Sequence, residues 1–402
     1  MRDKRAKTLR GLTWKHDRGL APLLATAAHF CGTHPEVKIE WETRSLQDFG
    51  EGSIQTAVEH YDLVVIDHPY MGVVAREKCF LPLDDYFAVN ELQELSQDSL
   101  GLSYPSYCFD GHQWAFPIDA AAQVAGYRAD ILETNGFNAP QTWEEVAELA
   151  KVRRGFVTPA LSPLDSLMCF FTMCANLGEP PFAQKDQVVS GNIGEQVLER
   201  LRILAEHSAE GALSANPIAI WERMSSSDDI AYCPLAFGYS NYARNRYRSK
   251  LISFCCIPSS GHGPIGATLG GAGLAISQNC KHSDLALKYA FWLAGEECQR
   301  TLYVESGGQP ASKSAWQGPH ANKITNDYFA ATLSVLENAW LRPRFAGFED
   351  FQIQAAGTLS RFLKSDKSWR ETLSRLDDLY ANAVAANEKM GTAQCDTKAR
   401  VG

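Results

Sequence analysis

Tyr61–Tyr86 reads YDLVVIDHPYMGVVAREKCFLPLDDY. Its first seven residues set Leu63–Ile66 between polar flanks and end on Asp67, the pattern of a short buried strand closed by a carboxylate. A helix carrying Tyr70–Glu77 continues from His68, and Leu81–Tyr86 (LPLDDY) closes the unit. Working upstream, Leu9–Trp14 reads as a first strand and Pro22–Cys31 (PLLATAAHFC) as a helix, while Val37–Thr43 (VKIEWET) alternates as a second strand. Gln55–His60 reads as a helix end. Strand, helix, strand, helix, strand within about 60 residues predicts a parallel α/β sheet. Open α/β sheets bind ligands outside the carboxyl ends of their strands. That rule singles out Trp14, Lys15 and His16 after the first strand, and Asp67 and His68 after the third.

The chain has 402 residues, enough for two or three domains at about 150 residues each. Hydrophobic residues make up 45% and charged residues 21%, an ordinary globular balance. With 38 Lys+Arg against 47 Asp+Glu, the net charge is −9, and the cationic surplus of a nucleic-acid platform is missing. No apolar run approaches the roughly 20 residues that cross a bilayer. Eleven cysteines are scattered without a CxxC, which gives a zinc knuckle or thioredoxin-type motif no support. The start, MRDKRAKTLR, is basic with no apolar segment before Gly11, so no signal peptide is read there. Taken alone, these features favour a reducing cytoplasm.

A second α/β region begins near Trp114. Trp114–Pro117 (WAFP) and Ala121–Arg128 (AAQVAGYR) read as two strands, and Asp130–Gly136 as a short helix with a glycine stop. Thr142 caps a further helix (TWEEVAELAK), with Glu145 at capping-box spacing. Ile193–His207 is amphipathic and helical, and Asp229–Pro234 is a strand leading into Leu235–Tyr242. Ile265–Ser277 (IGATLGGAGLAIS) is glycine-rich and turns into a strand, followed by a helix over Ser283–Leu293 and its continuation over Glu296–Tyr303. From Phe351 onward the chain reads as helices with polar spacers. No Pro/Ser linker separates the two regions, so they are expected to exchange chain through several crossovers.

Four blocks in order carry a family resemblance. Tyr61–Tyr86 is similar to a strand, helix and "L-x-P-L-D-D-Y" segment of the family 1 extracellular solute-binding proteins of ABC importers. Gly111–Lys151 resembles that family's "G-K-x-Y-A-x-P", strand, "Y-R-K-D-L-F", "G", "P-x-T-W-E-E" block. Gly270–Ser277 with Cys280–Leu293 resembles its "G-G-x-G-L-A-I-S" and following helix, and Gly307–Trp316 its "G-x-x-P-x-x-x-S". The resemblance implies a two-lobed, maltose-binding-protein-like (type II periplasmic-binding-protein-like) α/β fold with a multi-strand hinge and a central ligand cleft. The first lobe would take residues 1–112 plus 260–305, and the second 113–259 plus 306–402.

In such a cleft, aromatic faces stack on ring faces of the solute while a few polar groups fix its orientation. Trp14 ends the first strand at the cleft mouth, or simply packs the lobe. His16 shares its loop and competes for the role of helix cap. Asp67 and His68 either contact hydroxyls or cap the helix behind them. Asp119 lies near a lobe crossover and, by the resemblance, faces the cleft. Tyr239 and Asn241, with Phe237 and Tyr242, form a cluster where the family places a stacking aromatic; the plainer reading is a packing face. Gly271 and Ala272 offer backbone N–H groups or form a tight hinge turn. Trp340 and Arg342 (WLRPR, with Arg344) bring an arginine fork suited to a carboxylate or phosphate, or a solvated cation beside a proline turn.

No GxSxG, HExxH or GxxxxGK[ST] occurs, and the ten histidines show no metal-ligand spacing. Thiaminase I shares the two-lobed fold and uses a cysteine just before the "Y-R" element, but Asp119–Arg128 (DAAAQVAGYR) contains none. No enzymatic activity, cofactor or metal is expected. The expected role is capture of a small polar solute, a sugar or polyol or else a small carboxylated molecule, and its delivery to permease subunits. The chain is expected to be a monomer and, by the resemblance, periplasmic. A cytosolic sensor on the same fold is the alternative that the missing signal and the thiols support.

Overall fold

A computed structural model describes residues 6–184 and 187–399, with side chains described through residue 389. Three strands open the chain: β1 (Lys7–Trp14), β2 (Val37–Arg44) and β3 (Leu63–Ile66). A small hairpin, β4 (Cys108–Phe109) and β5 (His112–Gln113), precedes the long β6 (Phe116–Tyr127). β7 (Tyr232–Phe237), β8 (Ser253–Cys255) and β9 (Leu269–Ile276) complete the set. Seven of them form one sheet in the order β2-β1-β3-β9-β6-β7, with β8 also on β6.

The expectation of a parallel sheet holds only for β1, β2 and β3. β9 runs antiparallel to both β3 and β6, and β7 and β8 antiparallel to β6. The reason is the route of the chain. β6 leaves the first half of the molecule and β9 returns to it, so two adjacent strands must run in opposite senses. The two strands expected at Trp114–Pro117 and Ala121–Arg128 are one element, β6. Its twelve residues, at about 3.3 Å each, span roughly 40 Å. That length lets Phe116–Ala122 pair with β9 and Gln123–Tyr127 pair with β7 and β8. Pro117 and Asp119, which suggested a break, are absorbed by a register shift against β9.

Side-chain alternation sorts the core. Leu63 and Val65 of β3 join Leu9, Phe30, Leu274 and Tyr289 on one face, whereas Val64 and Ile66 join Met71, Tyr107 and Ala275 on the other. A third, larger core gathers Trp143, Phe171, Trp221, Phe254, Trp316 and Phe351. The chain passes between these bodies of core at Ile118/Ala120, Leu269/Ala272 and Tyr303/Val304. Several crossovers therefore join the two lobes.

Helices cover both lobes. The first begins at Asp17 and runs to Thr33 with His16 as its cap, rather than starting near Pro22, which lies inside it. Thr142 and Glu145 make the expected capping box on the helix Trp143–Ala150. The helix Pro163–Asn176, not anticipated, is buried almost all round. The C-terminal region is two helices, Phe348–Leu363 and Trp369–Ala399. No described helix is long and apolar enough to cross a membrane.

Gly271 sits at the return crossover with φ of 104°, and a Cβ there would lie 2.3 Å from the Asp119 carbonyl oxygen. A side chain meets both a left-handed backbone and a fixed strand. Gly271→Ala is expected to cost at least about 1–2 kcal/mol, read as a fall in the urea unfolding midpoint; an unchanged midpoint would show that the crossover relaxes freely.

Candidate functional site

A cavity of about 530 Å³ opens between the cores, on the side where β1 and β3 end. The β1 end supplies Trp14, buried against Phe49 with ring centroids 5.3 Å apart. Its ring fits because residue 19 is glycine: a Cβ there would lie 2.5 Å from the indole. Phe237 and Tyr239 form the facing aromatic wall, and Gly270 leaves room for the Phe237 ring in the same way.

Arg18, on the first turn of the helix Asp17–Thr33, is 3% exposed and knots the two lobes together. Its Nε donates to Asp119 Oδ2 at 2.8 Å, its Nη2 to Asp119 Oδ1, and its Nη1 to the Gly238 carbonyl at 2.7 Å. The guanidinium lies 4.6 Å from the Tyr239 ring centroid and 5.9 Å from that of Trp14. Burial works against this charge, and Asp119 more than offsets it, holding Arg18 above its usual range.

A second pair lies at the β3 end. Asp67 caps the single turn His68–Tyr70 by accepting the His68 N–H at 2.8 Å, and it accepts Arg342 Nη2 at 2.8 and 3.1 Å. Arg342 Nη1 donates to Gln352 Oε1 at 3.0 Å. Burial alone would raise the Asp67 carboxyl, but Arg342 and then His68 hold it well below the usual carboxylate range. Arg342 is thus buried and paired with Asp67, neither a free fork nor the solvated cation of the plainer reading.

Of the residues expected at a ligand, Trp14, Asp67, Asp119, Tyr239, Gly271, Ala272 and Arg342 come together on the cavity wall. His16, His68, Asn241 and Trp340 lie outside it. His16 Nδ1 accepts the Arg18 N–H at 2.9 Å as the helix cap, which leaves the proton on Nε2, 3.4 Å from the Tyr242 hydroxyl. Burial, then Arg18, pushes its imidazole down to about 4, so it is neutral. His68 is fully buried beneath Asp67 and stacks edge-on to Tyr107. Asn241 donates to the Gly307 carbonyl at 3.1 Å, and Trp340 packs on Phe171 and Phe182. His16 and His68 thus contact the wall residues Arg18 and Asp67, whereas Asn241 and Trp340 contact residues off the wall.

Arg18, Phe49, Glu51, Asp165, Asn216 and Lys364 also line the cavity and were not anticipated. An arginine in HDRGLAPLL reads as a solvated cation, so its burial leaves no mark in the sequence. Asp165 follows Ser162-Pro163, a helix-start signal that points to the position without revealing its exposure. Asp165 is 7% exposed and accepts the Ser162 hydroxyl at 2.5 Å. Burial pushes its carboxyl up to about 7, against the Ser162 hydrogen bond and with the field of Glu51. Among the described residues, one cluster has metal-binding composition: Asp84, Asp85 and His112. It lies outside the cavity, and the Asp84 oxygens already accept His112 Nδ1 at 2.9 Å and the Gln113 N–H at 2.8 Å.

Two lobes, several crossovers and a cavity walled by aromatic faces and preset hydrogen-bonding groups define a two-lobed small-molecule receptor. The chain belongs to the bacterial extracellular solute-binding protein family, whose pattern it matches over residues 25–330. That is a family of binding proteins, not of enzymes. A "Probable ABC transporter-binding protein" of Deinococcus radiodurans is 23% identical over 255 residues, 57% of this chain and 58% of that protein. The aligned part thus spans less than two thirds of that relative. MalE3 of T. maritima with maltose bound has the same fold, with a TM-score of 0.81 at 18% identity over 93% of this chain and 99% of that one. So does a ribitol complex of an ABC transporter solute-binding protein from Agrobacterium radiobacter K84, with a TM-score of 0.77 at 20% identity over 94% and 98%.

Two predictions follow from the buried charges. Asp119→Ala strands Arg18 without its counter-ion and is expected to cost about 3–5 kcal/mol; adding Arg18→Met should recover a large part of that loss in urea unfolding. Asp165 holds its proton when folded between its ordinary value of 3.8 and about 7, where the unfolded chain has lost it. Its contribution to stability therefore falls as pH rises through that window. The stability of the wild type relative to Asp165→Asn should decline from pH 4 to pH 7 and level off above; a flat difference would place the carboxyl in an ordinary environment.

Proposed function

We propose that this protein is the substrate-binding component of an ABC importer, holding a sugar or polyol between its lobes and presenting it to permease subunits. The observation that carries the ligand class is the pairing of both cavity arginines with carboxylates, Arg18 with Asp119 and Arg342 with Asp67. Paired in this way they act as fixed donors and acceptors for hydroxyls, not as receptors for a net anion, and this disfavours a carboxylated ligand. The aromatic walls supply flat apolar faces for the C–H faces of a sugar ring. The maltose and ribitol held by the proteins of like fold support the same class.

The lobes are proposed as residues 1–112 plus 260–305 and 113–259 plus 306–402, with the cores moving the first two crossings to Ile118/Ala120 and Leu269/Ala272 and leaving the third near 303–304. Membership of an extracellular family supports export, with the periplasm as the proposed working compartment; a monomer is proposed as the working form. The ten described cysteines are unpaired. Cys169, Cys174 and Cys233 are buried, and burial raises their thiols far from the reactive range, so they serve as small apolar core residues.

Thermal-shift screening of monosaccharides, disaccharides and polyols against small organic acids tests the reading. A sugar or polyol should raise Tm progressively with its excess over Kd. Trp14→Ala and Tyr239→Ala should each weaken the best hit by about tenfold or more, roughly 1.4 kcal/mol. Stabilisation by acids alone would overturn the ligand class, and unchanged affinity in both variants would overturn the site.

A further inference from the structure

We infer that His16 is a positioning residue through which acid weakens solute binding: the neutral imidazole joins the two lobes behind the cavity wall, and the imidazolium does not. The inference rests on the reading of the cavity as a solute site and adds a means of regulating it. His16 touches two wall residues. Its Nδ1 accepts the Arg18 N–H at 2.9 Å, and its ring meets that of Tyr239 edge-on with centroids 4.7 Å apart. Its Nε2 lies 3.4 Å from the Tyr242 hydroxyl and 3.5 Å from that of Tyr247. His16 and Arg18 stand at the start of a first-lobe helix, whereas the three tyrosines pack with the core of the second lobe.

The hydrogen bonds around the ring admit one protonation state. Nδ1 faces a backbone donor and must keep its lone pair, so the single proton sits on Nε2. Both tyrosine protons are already committed: Tyr242 donates to Glu222 Oε1 at 2.8 Å, and Tyr247 donates to Asp17 Oδ2 at 2.9 Å. The two hydroxyl oxygens therefore face Nε2–H as acceptors, and a neutral imidazole completes the set. A second proton would land on Nδ1 against the Arg18 N–H and deprive the helix Asp17–Thr33 of its cap. Of the charges facing the ring, Arg18 and Arg248 oppose protonation while Asp17 and Glu222 favour it. Both carboxylates already accept a tyrosine hydroxyl, and Glu222 also takes Arg248 Nε at 2.8 Å. With the lobes apart, the second-lobe tyrosines leave the ring and water reaches it. Burial, the largest cause of its fall from 6.5 to about 4, is then relieved. The parted lobes hold the proton more tightly than the joined ones, so acidification below the ordinary imidazole value draws the lobes apart.

Isothermal titration of the whole chain with maltose, ribitol and D-mannitol between pH 7.5 and pH 5 tests this. In the wild type, Kd of a bound solute should rise about fivefold or more as pH falls across that range. His16→Asn keeps a side-chain cap acceptor that does not titrate, and its Kd should change by less than about twofold. A wild-type Kd that is flat with pH, or a rise as large in His16→Asn, overturns the inference and leaves the sugar-or-polyol reading standing. Histidine-selective NMR of the wild type gives a second measurement that needs no variant. Solute and proton act on each other reciprocally, so His16 should titrate at lower pH with solute bound than without it; equal midpoints overturn the inference. If none of the three solutes binds, the sugar-or-polyol reading fails, and small-angle scattering by the solute-free chain decides for His16. Expansion on acidification in the wild type but not in His16→Asn supports the inference, and any other pattern overturns it.

Discussion

The contact between Arg18 and Asp119 is the one on which the rest of the structure turns. It joins the first turn of a first-lobe helix to the middle of β6, the strand that belongs to both lobes, and it reaches the Gly238 carbonyl at the end of β7. A guanidinium and a carboxylate taken out of water lose several kcal/mol of hydration each, and the loss is offset only where geometry is good and the remaining donors are satisfied. Here both oxygens of Asp119 are engaged, Arg18 spends a third hydrogen bond on a backbone carbonyl, and the Tyr239 ring covers its face. Such a pair tolerates little displacement. Trp14 and Tyr239, which flank it, are therefore held in place by the same interaction that joins the lobes.

A second arginine–carboxylate pair lies at the β3 end of the cavity wall, where Nη2 of Arg342 reaches both oxygens of Asp67 and the two residues again come from different lobes. Charged groups serve here as rigid hydrogen-bonding fixtures. A neutral amide in their place would be free to rotate, whereas a bidentate fork fixes the direction of every remaining lone pair. A polyhydroxylated ligand meeting such a surface loses its own hydration to groups that are already oriented, so the reorganisation cost on the protein side is small.

How far the sequence speaks for itself depends on whether a residue's role is local. The strands around Leu9, Val37 and Leu63 and the capping box at Thr142 were legible because burial and capping are set by neighbours a few positions away. Trp14 and Asp67 were legible as wall residues because strand ends are where α/β sheets meet ligands, whereas Asp119 and Tyr239 were reached through the family resemblance. The continuity of β6 was hidden, since Pro117 and Asp119 break strands unless a partner shifts register to accept them, and that partner lies about 150 residues away in β9. Arg18 and the occupancy of Arg342 were hidden for the same reason: each is decided by a residue from the other lobe. Pro22 misplaced the start of the first helix because proline prefers the first turn, and here the preference lost to the His16 cap.

Several lobe-to-lobe contacts do not involve the cavity. Tyr247 donates to Asp17 at 2.9 Å, the His16 ring lies 3.4 Å from the Tyr242 hydroxyl, and Arg344 donates to the carbonyls of Pro105, Ser106 and Cys108. Gly72 lets the Arg344–Ala346 backbone approach so closely that a Cβ would lie 2.2 Å from the Arg344 carbonyl oxygen. These contacts join the lobes in the arrangement that the structure shows. A ligand can shift a conformational equilibrium only by the difference in its affinity for the two states. Where the protein's own contacts already supply part of the closing free energy, the ligand needs to supply less, and weakly hydrated faces plus a few hydroxyls suffice.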